Sequence, residues 1–274
     1  MTALEQARAE ALKREQERAA SRERHAPQRA QDWERPKRSV DELRALAEEG
    51  AARFSGSGIG AADEASFDEV IAWAADTFGY RSTVACSMAD AVLPHVVAQQ
   101  LPWVDVLFLE TGYHFPETIG TRDAVSTTMD VTIVDVSSPH SVAEQDALYG
   151  KDLWSRNPAQ CCAMRKVQPL TDALSQYEVW FTGVRRDEAP TRTETPLVTF
   201  DEKNGLVKIN PLAAWSFEEL LGYAAAYNVV INPLLNQGYP SIGCLPCTKK
   251  VAPGEDPRSG RWAGLDKTEC GLHT

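Results

Sequence analysis

The run Thr83-Val84-Ala85-Cys86-Ser87-Met88-Ala89-Asp90 sets the fold class. Its first four residues read as a short buried strand. The next four form a polar turn, and residues 91–99 continue as a helix. The alternation then repeats. Val104-Asp105-Val106-Leu107-Phe108-Leu109 reads as a second strand, followed by a turn at Glu110-Thr111-Gly112 and a helix near 116–126. Val131-Thr132-Ile133-Val134-Asp135-Val136 is a third strand, with a helix after Ser141. Val179-Trp180-Phe181-Thr182 is a fourth, ending at Gly183, and Leu206-Val207-Lys208-Ile209 is a further candidate before Asn210-Pro211. Short apolar strands alternating with helices predict βαβ units. The expected fold is α/β, a mostly parallel sheet with helices on both faces. Ligands of such sheets bind at the carboxyl ends of strands. The polar segments 86–90, 110–117 and 183–192 are therefore the candidate site loops.

Upstream, residues 1–38 are rich in Ala, Arg and Glu and nearly empty of large apolar side chains. With no apolar face to bury, this stretch is expected to be a loose, flexible arm. Ser39 is placed to cap a helix carrying Leu43, Leu46 and Ala47, and Ser66 with Glu69 fits a capping box. The expected organisation is an arm over 1–38, an α/β body over 39–235 and a C-terminal segment over 236–274. The 274 residues are 43% hydrophobic and 24% charged, as in a globular protein with a sizeable core. A net charge of -11 argues against nucleic-acid or anionic-membrane partners. No apolar run reaches the roughly 20 residues of a membrane helix, and the first residues lack the apolar stretch of a secretory signal. A cytoplasmic setting is the expectation, and homo-oligomerisation is left open.

In a reducing compartment the six cysteines are better read as metal ligands or reactive thiols than as disulfides. Cys161-Cys162 and Cys244-Leu245-Pro246-Cys247 make two close pairs. Four thiolates suit zinc or an iron–sulfur cluster. Adjacent cysteines diverge and converge poorly on a single ion. A four-iron cluster offers each sulfur its own corner, which favours [4Fe–4S] over zinc. Four buried thiols without an ion are the third reading. Cys86, at the end of an apolar strand, reads as a core residue.

Cations gather in the same regions. Arg165 and Lys166 follow the first cysteine pair, Arg185, Arg186 and Arg192 follow the fourth strand, and Arg258 and Arg261 flank a Pro/Gly turn. Basic residues at strand ends of an acidic protein suggest a sulfate or phosphate site; singly, each also reads as surface charge. Ser87 at a strand-to-helix turn suits either an anion cradle or a plain N-cap. Thr111, Gly112 and His114 form a similar loop, in which His114 reads as structural.

The last residues, Lys267-Thr268-Glu269-Cys270-Gly271-Leu272-His273-Thr274, place a thiol on a short polar segment. Such a cysteine is open to substrates and partners. His273 could share a charge or proton with it. Glu269 is expected to oppose its thiolate, so activation must come from cations elsewhere. The competing reading is a dispensable tail with an incidental cysteine.

Together these features resemble the assimilatory adenylyl-sulfate reductase family, relatives of the PAPS reductases. The resemblance spans about residues 66–274 and rests on Glu110-Thr111-Gly112-Tyr113-His114-Phe115-Pro116-Glu117-Thr118, the two cysteine pairs and Glu269-Cys270-Gly271-Leu272-His273. It implies a PP-loop (adenine nucleotide alpha hydrolase-like) fold with a mobile C-terminal tail. It implies a [4Fe–4S] cluster on Cys161, Cys162, Cys244 and Cys247, and a nucleophilic Cys270. Lys166, Arg258 and Arg261 would then stand near the sulfate and phosphate, with Arg185, Arg186 or Arg192 in an arginine-rich loop. The implied activity is thioredoxin-dependent reduction of adenylyl sulfate to sulfite and AMP through a Cys270 S-sulfocysteine, in sulfate assimilation towards cysteine. Residues 87–90 depart from the Gly-containing phosphate loop of many members, Glu110 replaces an Asp, and residues 1–38 fall outside the resemblance. The alternatives are a 3′-phosphoadenylyl-sulfate reductase and a metal-stapled PP-loop nucleotide-binding or RNA-modifying protein. A Gly-rich S-G-G-x-D-S loop, expected of the last, is missing from 87–92.

Overall fold

The computed structural model describes residues 2–264, 267 and 269–272. Three helices lead in: α1 (Ala3–Glu34), α2 (Val40–Phe54) and α3 (Phe67–Phe78). The α/β body follows as β1 (Ser82–Ala85), α4 (Val92–Gln100), β2 (Asp105–Glu110), α5 (Pro116–Thr128), β3 (Thr132–Ser137), α6 (Val142–Tyr149), α7 (Leu153–Arg156), α8 (Pro158–Cys162), α9 (Gln168–Leu174), β4 (Val179–Thr182), β5 (Val198–Asp201), β6 (Leu206–Ile209) and α10 (Phe217–Ala226). The strands form one six-stranded sheet in the order β3-β2-β1-β4-β6-β5. All neighbours pair in parallel except β5 with β6.

This is the expected α/β architecture. From β1 the chain steps outward to β2 and β3, then returns across β1 to β4. Right-handed crossovers put α4 and α5 on one face and the α6–α9 segment on the other. Strands covered on both faces must be apolar throughout; accordingly Val179, Trp180, Phe181 and Thr182 are all buried. Serine capping boxes start α2, α3, α6 and α10 at Ser39, Ser66, Ser141 and Ser216. The antiparallel β5 was not expected. Its signal is Asn204-Gly205: Gly205 takes φ +67° and closes the turn by donating its N–H to Asp201 O at 2.8 Å.

The expected loose arm is instead a 32-residue helix docked on the body. Its interface is largely polar, with Trp33 packed edge-on to Tyr177 at its end. Arg18 donates to the carbonyls of Thr127 (2.6 Å), Ser126 (3.0 Å) and Met129 (2.6 Å), closing the end of α5. Arg29 grips Asp105 at 2.6 and 2.8 Å. Arg81 returns the favour at the end of α1, donating to the carbonyls of Asp32, Trp33 and Arg35. A test for an apolar stripe misses this helix because charge-assisted hydrogen bonds hold it.

Candidate active site

The order in which strands are added reverses between the parallel neighbours β1 and β4, and a cavity of about 280 Å³ opens at their carboxyl ends. Beyond β1, residues 86–90 turn towards α4. Ser87 is exposed at the cavity and does not cap the helix; Asp90 Oδ1 accepts the Val92 N–H at 3.0 Å instead. Met88 adopts φ +58° where a phosphate loop has Gly, and its side chain is fully buried. Apolar burial thus holds a backbone conformation that only glycine adopts freely. Cys86 is half-buried and lines the cavity, so it is not a simple core residue. Burial, reinforced by Asp90, pushes its thiol up to about 12, and it stays protonated.

Five cations line the same cavity: Lys166, Arg185, Arg192, Arg258 and Arg261. Arg185 is buried between Asp187 (3.1 Å) and Glu188 (3.4 Å). Arg192 pairs with Glu188 and Glu269, and Arg258 reaches Glu269 at 3.1 Å. Arg261 donates to Ser241 Oγ at 3.2 Å, and its buried Nε has no partner among the described residues. Gly243 makes room for this guanidinium: a Cβ there would stand 2.3 Å from Arg261 Nη2. Arg186 departs from expectation. It turns away to grip Glu64 at 2.6 and 2.7 Å, outside the cavity, because the buried Glu64 carboxylate offers it a bidentate partner.

A smaller cavity lies alongside, lined by Cys161, Cys162, Cys244 and Cys247 with Tyr113, Trp154, Arg165 and Lys166. The two distant cysteine pairs thus converge, and none is in a disulfide. Burial, with the negative charge of the other three sulfurs, pushes the Cys161 thiol up to about 12. Burial raises Cys247 to about 11 in the same way. Burial opposes ionisation of Cys244 too, but Lys166, a Thr111 hydrogen bond and Arg261 outweigh it and pull this thiol down. Thr111 and Gly112, expected to touch substrate, line neither cavity and stand behind the cysteine segment. Thr111 is fully buried with Oγ1 3.4 Å from Cys244 Sγ, and its carbonyl accepts from Arg165 Nε. Gly112, at φ +73°, lies where a Cβ would meet Val142 at 2.7 Å. The strand-end loop curls under the cysteine segment, which turns these residues from the larger cavity; His114 does line it.

Lys166 lines both cavities. It sits in a π-turn over Ala163–Val167 that directly follows Cys162, a backbone irregularity common at functional sites. Burial disfavours its charge, yet the sulfurs of Cys244, Cys270 and Cys162 outweigh that and hold its ammonium above the ordinary lysine range.

The cysteine tail is seated in the larger cavity. Cys270 lines it, Lys203 Nζ donates to Gly271 O at 3.0 Å, and Leu272 packs against the core. Glu269, expected to oppose the thiolate, is neutralised by its two arginines. His273 lies outside the described residues. Sequence reading also passed over Leu93, Trp180 and Phe217 as cavity walls, since only the crossing of elements brings them together.

The chain is similar to known proteins over most of its length. A family model described as the phosphoadenosine phosphosulfate reductase domain matches residues 76–250. A Rhodococcus erythropolis protein named adenosine 5'-phosphosulfate reductase is 54% identical over 245 residues, covering 86% of this chain and 96% of its own. A protein of the same name from Mycolicibacterium smegmatis is 55% identical over 233 residues, covering 85% of this chain and 95% of its own. The crystal structure of phosphoadenylyl-sulfate (PAPS) reductase from Candida auris, a phosphate complex, superposes with a TM-score of 0.57 at 27% identity, covering 69% of this chain and 91% of that one. Similarity of this extent, on a parallel sheet with its pocket at the reversal point, means that the chain belongs to the phosphoadenosine phosphosulfate reductase domain family.

Proposed function

We propose that the protein reduces adenylyl sulfate to sulfite and AMP, with electrons from a thioredoxin-like dithiol. The observation that carries this reading is the seating of Cys270 in a cavity lined by five cations, at the carboxyl ends of β1 and β4. The Cys270 thiolate attacks the sulfur of the sulfate group. An S–S bond forms, the S–O bond to the phosphate breaks, and AMP leaves. A dithiol thiolate then attacks Cys270 Sγ, and sulfite departs with the electron pair of the S–S bond. The second thiol of the reductant resolves the mixed disulfide and restores Cys270. Lys166, Arg258 and Arg261 offset repulsion between thiolate and substrate, and they stabilise the charge that builds on the leaving phosphate. The second half-reaction requires the tail to leave the cavity, and a cytoplasmic setting suits the chemistry of its reductant.

Cys161, Cys162, Cys244 and Cys247 fit a [4Fe–4S] cluster: four sulfurs free of disulfides face one cavity, and their crowding adds to burial in raising the proton affinity of Cys161 and Cys247. Bound there, the cluster would supply a fixed local charge distribution, and the electrons for reduction come from the dithiol. The nearby thiolates and the π-turn hold Lys166 between this cavity and the substrate.

The test is sulfite release with thioredoxin on adenylyl sulfate and on its 3′-phosphorylated form, side by side. Faster turnover of adenylyl sulfate is expected, in keeping with the name of the relatives at 54% and 55% identity. Preference for the phosphorylated form would assign the substrate named for the Candida auris enzyme. In the same assay Cys270→Ser is expected to acquire no label from 35S-adenylyl sulfate; normal labelling would remove Cys270 as nucleophile.

A further inference from the structure

We propose that Glu269 is a positioning residue for Cys270: its carboxylate, clasped by Arg192 and Arg258, latches the tail into the cavity and aims the thiol. This rests on the reading of Cys270 as nucleophile. The clasp is specific. Arg192 donates through Nε to Oε1 at 3.1 Å and through Nη2 to Oε2 at 3.0 Å. Arg258 Nη2 donates to Oε2 at 3.1 Å, and Thr191 Oγ1 lies 3.4 Å from Oε1. The three side chains are only 12–15% exposed, so water screens the pairing weakly. Arg192 is in turn braced by Glu188, on the loop that follows β4.

Cys270 is the next residue, one Cα step of about 3.8 Å away. Fixing the carboxylate therefore confines the thiol to the cavity wall, within the influence of Lys166 and Arg261. Elsewhere among the tail's described residues, Leu272 packs against the core and Lys267 Nζ donates to Pro158 O at 3.2 Å. The tail forms no helix or strand among the described residues, and Lys203 supplies one exposed hydrogen bond to Gly271. The two guanidiniums also cancel the charge that would otherwise repel an anionic substrate beside the nucleophile. A latch made largely of charge-assisted hydrogen bonds, with Leu272 packed beside it, can release when the thiol must meet a protein reductant.

The test uses the full chain without substrate. Iodoacetamide alkylation of Cys270 is followed by mass spectrometry of the tail peptide, and its pH-independent limiting rate reads access alone. In Glu269→Gln that rate is expected to rise about tenfold, while the urea unfolding midpoint stays unchanged; Glu269→Asp is expected to fall between. Single-turnover sulfonation of Cys270 in Glu269→Gln is expected to slow about tenfold at unchanged AMP affinity. An unchanged Cys270 access rate overturns the latch, and so does a rise that comes with a lowered unfolding midpoint, which would mark general loosening. If wild-type Cys270 is never sulfonated, the nucleophile reading falls, while the alkylation measurement still reports on the latch.

Discussion

Lys166 is where two kinds of chemistry meet. Its neighbours in sequence place it one π-turn beyond Cys162, and its ammonium lies between the paired cysteines and Cys270. A cation held against a phosphate leaving group acts mainly in the transition state. Lys166→Ala is expected to lower kcat roughly 100- to 1,000-fold with little change in AMP affinity, as read by steady-state kinetics and calorimetry. Equal losses in both would make it a ground-state binding residue. Met88 makes a different point at this scale. The residue type signals no phosphate loop, yet the backbone takes the left-handed turn that Gly usually serves, because burial of the thioether side chain fixes it. Composition at 87–90 therefore understated the likeness of the loop's conformation.

Among the elements, α1 is the one whose reading changed most. Its link to α2 is tied to the start of β4. The buried Glu178 carboxylate accepts from Arg35 at 2.9 and 2.8 Å, from the Arg38 backbone at 2.7 Å and from the Arg38 guanidinium at 2.5 Å. Burial alone would raise the proton affinity of Glu178, but these partners prevail and hold it below the ordinary glutamate value near 4.5. A depressed carboxylate contributes its stability fully above the unfolded-state pKa and loses it as pH falls through the folded one. Acid below about 4.5 is thus expected to weaken the α1–α2 attachment. Glu178→Gln should cost about 3 kcal/mol in urea unfolding at pH 7 and flatten the acid limb of the stability profile. An unchanged acid limb would assign that dependence to other carboxylates.

Across the whole molecule, the two cavities share a wall, so disturbing one reaches the other. Cys161→Ala is expected to lose iron and visible absorbance and to lower turnover, although Cys161 does not line the substrate cavity. Full iron content in this variant would remove Cys161 from the ligand set, and zinc at stoichiometry in the wild type would replace the cluster reading. No helix among the described residues is long and apolar enough to cross a membrane.

Periodicity and side-chain type were enough to specify the mostly parallel sheet, its strand-end loops and the helices after Ser39, Ser66 and Ser141, because these depend on local backbone preference and on which faces must leave water. The pairing of Cys161-Cys162 with Cys244 and Cys247, the reach of Lys166, and the seat of Cys270 depend on how distant segments cross. The same holds for the arginines. Arg185 and Arg186 are neighbours in the chain, yet one faces the cavity and the other faces Glu64. Successive side chains diverge, and the partner each meets is supplied by a part of the chain more than 100 residues away or by the loop's own turn. Docking of α1 was hidden for the same reason: arginines that look like solvated charge in a linear reading become caps and clasps once carbonyls and carboxylates from the body are brought to them.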